Sequence, residues 1–490
     1  MAFALSDGKV LGDIASKAIR QIPMAKFNTI NPSSGEPLAE YDIAAPDEIK
    51  EAISDARKAF ENWKRLRPSD RGKYLASTAK ILREKKQDFG KDMTNEMGKI
   101  IRESIAEVEK CAWVFEYYAE NAERFLVPEP AQTDAAKSFV AFEPTGVVAA
   151  IMPWNFPMWQ LARFASPSLS AGNTAIFKPS SVTTKSGINL ESAFNDAGLP
   201  AGVFKTLIGD SRIVDQMIDD PGTDAVTFTG SVSVGSKVGE RALRNLKKCV
   251  LELGGSDPFI VLKDADPEIA ATGAVAGRFI NNGQSCIAAK RFIAEKGIAE
   301  QFTENFISKV KKLRVGDPLN PDTDIGPMVR EGALKEMEKQ IEESVKMGAK
   351  IEVGGHRIDR KGYFYEPTIL TNVTLQMPVM KEEVFGPAAP IIIVKDAKEA
   401  VAVANESEFG LGASVWTQDL QTGENLAREI QSGVVTINNT VSSDPRVPFG
   451  GVKKSGIGRE LGRYGLLEFL NIKTVRLYER RKVTATTATE

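Results

Sequence analysis

Residues 225–252 read AVTFTGSVSVGSKVGERALRNLKKCVLE and contain one complete β-α-β unit. AVTF is a continuous apolar run, Gly230 and Ser231 make a turn, a helix is expected from about Val232 to Asn245, and CVLEL returns as an apolar strand. Strands that are apolar throughout, rather than alternating, are buried on both faces, which requires a parallel sheet covered by helices. The same texture repeats upstream: GVVAAIM, a helix near Met158–Ala171, NTAIFK, a helix near Lys185–Ala197, then VFKTLI. It restarts after Gly255 with PFIVL, a helix from Pro267 to Asn281, RFIAEKG and a helix near Glu300–Leu313. PIIIVK, a helix over Ala397–Glu406, GASVWT, a helix near Leu420–Ser432 and GVVTIN complete the second series. Two α/β lobes meeting near residue 253 are therefore expected.

The flanks read differently. Ile49, Ile53, Ala56, Phe60 and Trp63 recur at helical spacing, with Pro46, Asp47 and Glu48 marking the start. Two further helices are expected at about Ser69–Lys86 and Met93–Tyr118, the second facing inward with Trp113, Tyr117 and Tyr118. The stretch VPEPAQTDAAKSFVAFEP has Pro near both ends and a strand at Ser138–Phe142, the texture of an arm that leaves a lobe and returns. NIKTVRLYE near the end is a strand that could pair with it. In the leader, Leu11, Ile14, Ala18 and Ile22 fall on one helical stripe, but Asp7 and Asp13 and the lack of a sustained apolar core argue against a secretory signal.

Composition narrows the chemistry. The 490 residues, 42% hydrophobic and 26% charged, are those of an ordinary globular protein of several lobes. A net charge of −2 gives no bulk attraction to nucleic acid or anionic membranes. Three Cys at uneven spacing fit a reducing compartment, so a cytoplasmic location is expected. One His, His356 in a surface turn, leaves no multi-His metal site, and a His-dependent triad only if that residue serves it. No metal is expected. Covalent catalysis would have to use a thiolate and a carboxylate.

Cys286 in NNGQSCIAAKR and Glu252 in CVLELGGSDPF are the candidates. A buried Cys is the usual fate of a thiol, yet Asn281–Ser285 is a polar turn at the end of a helix. Glu252 ends an apolar strand, where a carboxylate is costly unless paired, protonated or used; an ion pair with Lys247 or Lys248 is the plain alternative. Asn155, between Pro153 and Pro157, is either a turn former or an amide fixed to receive an oxyanion. Gly230 and Ser231 could present backbone amides to a diphosphate. The run is neither GxGxxG nor a true P-loop, since Ser236–Lys237 reverses the required order. Lys178 in IFKPSS stands at a strand end, where open α/β sheets place ligands, although a solvated surface charge explains it equally.

MPWNFP, FKPS, FTGS, LELGG, NNGQSC, EEVFGP and PFGGVKKSGIGRELG occur in this order over residues 152–462. Together they resemble the aldehyde dehydrogenase superfamily from about residue 28 onward. The resemblance implies two Rossmann-like lobes and a small β arm used in oligomerisation. Its boundaries would be 1–126 with 144–252 for the dinucleotide-binding domain, 253–470 for the catalytic domain, and 127–143 with 471–490 for the arm. It implies Cys286 as nucleophile, Asn155 as oxyanion donor and Glu252 as the base that activates water. Trp154, Lys178, Ser181, Gly230, Ser231, Glu383 and Phe385 would contact NADP or NAD. A homodimer or homotetramer follows from the arm.

Two departures bear on selectivity. Many NAD-preferring members have Glu at the third position after the Lys; here Ser181 stands there, which removes repulsion of a 2′-phosphate and predicts use of NADP. The strings around Glu252, Cys286 and Ser443 are similar to those of bacterial succinate-semialdehyde dehydrogenases, in which Arg163 and Ser443 would hold the distal carboxylate. A second Arg found in some relatives is replaced by Ile280, which opens the alternative of glyceraldehyde or a broad set of small aldehydes, with Arg446 as a compensating cation. A protein that binds cofactor without turnover is the reading from another class, and the complete set of Cys286, Glu252 and Asn155 argues against it.

Overall fold

The computed structural model describes residues 25–479. The expected leader helix lies outside the described residues. A six-stranded sheet runs in the order Gly456–Ile457, Lys248–Glu252, Ala225–Thr229, Val147–Ile151, Thr174–Lys178, Phe204–Thr206. All neighbours are parallel except Gly456–Ile457, which pairs antiparallel with Leu251 and Glu252. Every residue of Val147–Ile151, Thr174–Lys178 and Ala225–Thr229 is buried, as apolar runs in a doubly covered sheet require. Burial of each large aliphatic or aromatic side chain contributes about 1.5–3 kcal/mol.

A seven-stranded sheet forms the second lobe, in the order Lys350–Val353, Thr368–Thr371, Ala388–Val394, Ala289–Glu295, Asp257–Val261, Gly412–Trp416, Val434–Ile437. Only its first strand is antiparallel to its neighbour. The two α/β lobes read from the sequence are thus present, changing over between Glu252 and Asp257. Lys137–Pro144 pairs antiparallel with Leu470–Leu477 on one side and Glu129–Pro130 on the other, so the late strand joins the excursion at 129–144.

Several boundaries differ from expectation. The helices expected at Ser69–Lys86 and Met93–Tyr118 are Pro68–Met97 and Ile101–Phe125. The break falls at Gly98, whose φ of +79° suits Gly and whose Cβ would come within 2.7 Å of Pro327. The helix Glu331–Lys346, which buries Leu334, Met337 and Ile341, and the strands Lys350–Val353 and Thr368–Thr371 add to the elements expected. The helix Trp159–Ala171 is buried along its whole length, and it brings Trp159, Gln160 and Arg163 to the site.

Candidate active site

In the first sheet the chain order reverses between Val147–Ile151 and Ala225–Thr229. Ligand crevices of open parallel sheets form outside the carboxyl ends of the strands at such a point. Pro153, Trp154 and Asn155 leave the first of these strands, and Gly230 and Ser231 leave the second. Three cavities follow one another here. A cleft of ≈ 610 Å³ holds Lys178, Ser180, Gly230 and Ser231. It shares Pro153, Thr229, Gly230 and Ser231 with a second cavity of ≈ 340 Å³ that adds Trp154, Asn155, Glu383 and Phe385. A third, of ≈ 250 Å³, holds Arg163, Ile280, Ser443 and Phe449. The second and third share only Gln160 and Cys286. The thiol therefore sits at the junction of a long double cleft and a smaller, mostly apolar chamber.

The loop bearing Cys286 is built tightly. Asn281 and Asn282 adopt left-handed φ values of 50° and 56°, a region Asn tolerates better than most residues. Asn281 Nδ2 donates to the carbonyls of Asn155 at 2.7 Å and Gln284 at 3.0 Å. Asn155 Nδ2 donates to the Gln284 carbonyl at 3.2 Å, and Asn155 Oδ1 accepts from Gln160 Nε2 at 3.0 Å. The two turns are thus tied together through amides, and the Asn155 amide lines the same cavity as the thiol. The buried Lys290 Nζ donates to the carbonyls of Ser285 and Cys286, each at 2.8 Å. Burial pushes the Cys286 thiol up to about 12, opposed first by Arg163 and then by Lys290. A Cβ at Gly255 would approach the Cys286 carbonyl to 2.6 Å, so this crossing of the chain needs Gly.

Glu252, implied above as the base that activates water, stands apart from the thiol. Its backbone ends the strand beside the second cavity, but its side chain lines neither cavity that Cys286 lines. Glu252 Oε1 lies where a Cβ at Gly450 would come within 2.6 Å, and neither carboxylate oxygen has a hydrogen-bond partner among the described residues. The alternative ion pairs are absent: Lys247 donates to the carbonyls of Ile218 and Asp220, and Lys248 to those of Glu468 and Leu470. Burial holds the Glu252 carboxyl well above the usual carboxylate range, and nearby Glu460 adds to this, while Arg163 and Arg459 oppose it. Glu460, itself raised by burial, is ion-paired with Arg163.

The double cleft fits a dinucleotide. Ser231 caps the helix Val232–Arg244 without a side-chain hydrogen bond, leaving the first N–H groups of that helix available to a diphosphate. Lys178 ends its strand on the cleft wall, its ammonium lowered to about 8 by burial. Ser180 lines the cleft; Ser181, the next residue, is not among the residues that line it, and its carbonyl accepts a hydrogen bond from Thr184 Oγ1 at 3.4 Å. Glu383 Oε1 accepts the Gly255 N–H at 3.0 Å, and Phe385 meets Trp154 edge-on at 5.7 Å between ring centroids.

In the third chamber, Ser443 Oγ accepts from Trp159 Nε1 and Lys110 Nζ, each at 3.0 Å. Arg446 does not reach it: it pairs with Asp444 and lies 5.6 Å from the Trp113 ring. Gln160, Lys290, Glu460 and Lys110 were not singled out from the sequence. Gln160 follows the MPWNFP string and Glu460 lies within GRELG, so the strings marked their neighbourhood; Lys110 sits in an ordinary helical stretch that carries no motif.

The aldehyde dehydrogenase family model matches residues 20–475. A probable succinate-semialdehyde dehydrogenase (NADP+) of Synechocystis sp. is 44% identical over 447 residues, covering 91% of this chain and 98% of its own. The succinate semialdehyde dehydrogenase (NAD(P)+) of Escherichia coli K12 is 44% identical over 453 residues, covering 92% of this chain and 98% of its own. Among solved structures, an E. coli NADP-dependent enzyme superposes with a TM-score of 0.91 at 35% identity, covering 93% of this chain and 95% of its own. The betaine aldehyde dehydrogenase of Staphylococcus aureus in complex with NAD+ does so with a TM-score of 0.91 at 32% identity, covering 95% of this chain and 94% of its own. With its fold, its ordered motifs and a family match over nearly its whole length, the chain belongs to the aldehyde dehydrogenase family.

Proposed function

We propose that this protein oxidises succinate semialdehyde to succinate, with NADP preferred and NAD also used. The observation that carries the reading is the position of Cys286, shared between a dinucleotide-sized double cleft and a chamber lined by Arg163, Ser443 and Ile280. The names of the relatives at 44% identity support the substrate and the cofactor.

Cys286 loses its proton to solvent and, as the thiolate, adds its sulfur to the aldehyde carbon. The Asn155 amide, with the Cys286 backbone N–H, receives the developing oxyanion. When bound, the nicotinamide would supply the hydride acceptor that oxidation of the Cys286 adduct to a thioester requires. Glu252 then takes a proton from water, which attacks the thioester, releases the acid and restores the thiol. Its side chain must swing from Gly450 toward Cys286 for this step. Lys178 and Ser181 would hold the adenosine ribose and its 2′-phosphate, Gly230 and Ser231 the diphosphate, Glu383 the nicotinamide ribose, and Trp154 and Phe385 the nicotinamide side. Arg163 and Ser443 lie on the substrate side.

Of the described residues, 25–126 with 144–252 would make up the cofactor domain, 253–470 the catalytic domain, and 127–143 with 471–479 the arm. The arm's edge strand Leu470–Leu477 exposes Ile472 and Leu477, which suits pairing with a second copy in a dimer or a dimer of dimers. No helix among the described residues is long and apolar enough to cross a membrane, and the free cysteines suit a reducing cytoplasm. Ile280 in the chamber favours a second reading, oxidation of glyceraldehyde or other small aldehydes. Absorbance of reduced cofactor, followed with succinate semialdehyde and glyceraldehyde, each with NADP and NAD, separates the two. Activity greatest with succinate semialdehyde and NADP, and absent in Cys286→Ala, is expected; glyceraldehyde as the better substrate overturns the substrate.

A further inference from the structure

Among the described residues, the chamber beyond Cys286 contains a cation with no carboxylate within ion-pair distance, Lys110. Lys110, on the helix Ile101–Phe125, lines the chamber and is half-buried. Its Nζ donates to Ser443 Oγ at 3.0 Å and lies 4.4 Å from the centre of the Trp159 ring. Among the described residues it forms no ion pair, whereas the other charged groups nearby are committed. Glu107 binds Lys99 and accepts the N–H groups of Met158 and Trp159, each at 3.0 Å. Glu103 accepts the Asn281 N–H at 2.9 Å. Arg163 is paired with Glu460, and Asp444 with Arg446. An ammonium held against a serine and an aromatic face, without a counter-ion, is costly to keep charged until an anion arrives.

We infer that Lys110, held by Ser443 and Trp159, binds the distal carboxylate of the substrate and sets selectivity for aldehydes that carry one. This rests on the proposed succinate-semialdehyde reading and adds a residue to it. The ammonium supplies the charge that Ile280 does not, and it approaches from a different wall of the chamber. Ser443 then has two roles: it orients the ammonium and remains close enough to share the carboxylate. Arg163, neutralised by Glu460, contributes less net attraction for an anion than its position alone suggests.

Titration gives an independent signature. Burial lowers the Lys110 ammonium to about 8, with Arg163 adding to the fall; Cys111, Glu107 and Asp444 oppose it. Lys110 is protonated below that value, so carboxylate binding should weaken as pH rises through it. A bound carboxylate would itself favour the protonated form.

The test compares succinate semialdehyde with butanal, which has the same chain length and no carboxylate. Wild-type enzyme, Lys110→Met and Lys110→Arg are assayed with saturating NADP, with active sites counted by burst titration. In Lys110→Met, the KM for succinate semialdehyde should rise about 30-fold or more, the effect of removing one partner of a desolvated charge pair. Its kcat should change little, and butanal should be oxidised as well as before or better. Lys110→Arg should keep most of the preference and move the rise in KM from about pH 8 to higher pH. A preserved ratio between the two substrates in Lys110→Met, or an equal loss for both, overturns the inference. The wild-type ratio tests the substrate reading separately. An enzyme that prefers butanal from the start refutes that reading, whereas an unaltered preference in the variant refutes only the role of Lys110.

Discussion

Arg163 and Glu460 form an ion pair in the interior, each side chain 3% exposed. The guanidinium also lies 4.6 Å from the centre of the Phe449 ring. It is the strongest influence opposing the burial of Cys286, and it opposes the burial of Glu252 as well. One cation therefore bears on the thiol and on both buried carboxyls, and its charge is already balanced by one of them.

Removing the acid at Glu460 should be felt in two ways. Glu460→Gln leaves Arg163 without its counter-charge, and breaking a buried pair from one side costs about 3–5 kcal/mol. Thermal melting should show this loss. Because Glu460 helps to hold the Glu252 carboxyl up, the variant should also ionise Glu252 at lower pH. The acid limb of kcat should then move toward lower pH; a limb that stays in place would disconnect the two carboxyls.

In the proposed mechanism Glu252 acts as a base, which it can do only when ionised. Its carboxyl is held above the usual range by burial, so activity should fall as pH drops through that raised value and recover above it. In Glu252→Gln the thioester should form and persist. Rapid mixing should show a burst of reduced cofactor of about one per site, followed by turnover slowed about 10²–10⁴-fold. A variant without a burst would place Glu252 before hydride transfer rather than after it.

Asn155 is tied to Gln284 and Gln160, so its amide is oriented before substrate arrives. Asn155→Ala should lower kcat about 10²–10³-fold, the usual effect of losing one oxyanion donor. Cofactor affinity, followed by quenching of protein fluorescence, should remain within a factor of about three if the amide acts on the oxyanion. A large fall in that affinity would point instead to collapse of the loop.

Ser181→Glu places a carboxylate next in the chain to Ser180, which lines the cleft that holds Lys178. Even about 1.4 kcal/mol of repulsion against a 2′-phosphate is tenfold. Use of NADP should fall by about that factor or more relative to NAD, read as the ratio of kcat/KM values. An unchanged ratio would assign the choice of cofactor to other residues of the cleft.

Much of this architecture is legible in the chain alone. Continuous apolar strands such as GVVAAIM and AVTF cannot be solvated on either face, so they imply parallel sheets under helices. The seven ordered strings marked the loops at the strand ends, because those loops must keep Gly, Pro and Asn where the backbone turns sharply. Cys286, Asn155 and Glu252 could be named as candidates from such neighbours.

Sequence patterns report short-range geometry and say little about where side chains from distant elements meet. The break at Gly98, the turning of Glu252 toward Gly450, and the pairing of Arg163 with Glu460 depend on which segments cross in space. The unbalanced ammonium of Lys110 depends on the same crossings. Its helix lies far along the chain from Ser443, and the sequence around it reads as ordinary amphipathic helix. Only the packed structure brings Lys110, Trp159 and Ser443 within hydrogen-bonding and ring-contact distance, because burial and charge balance belong to the assembled interior and not to any one segment.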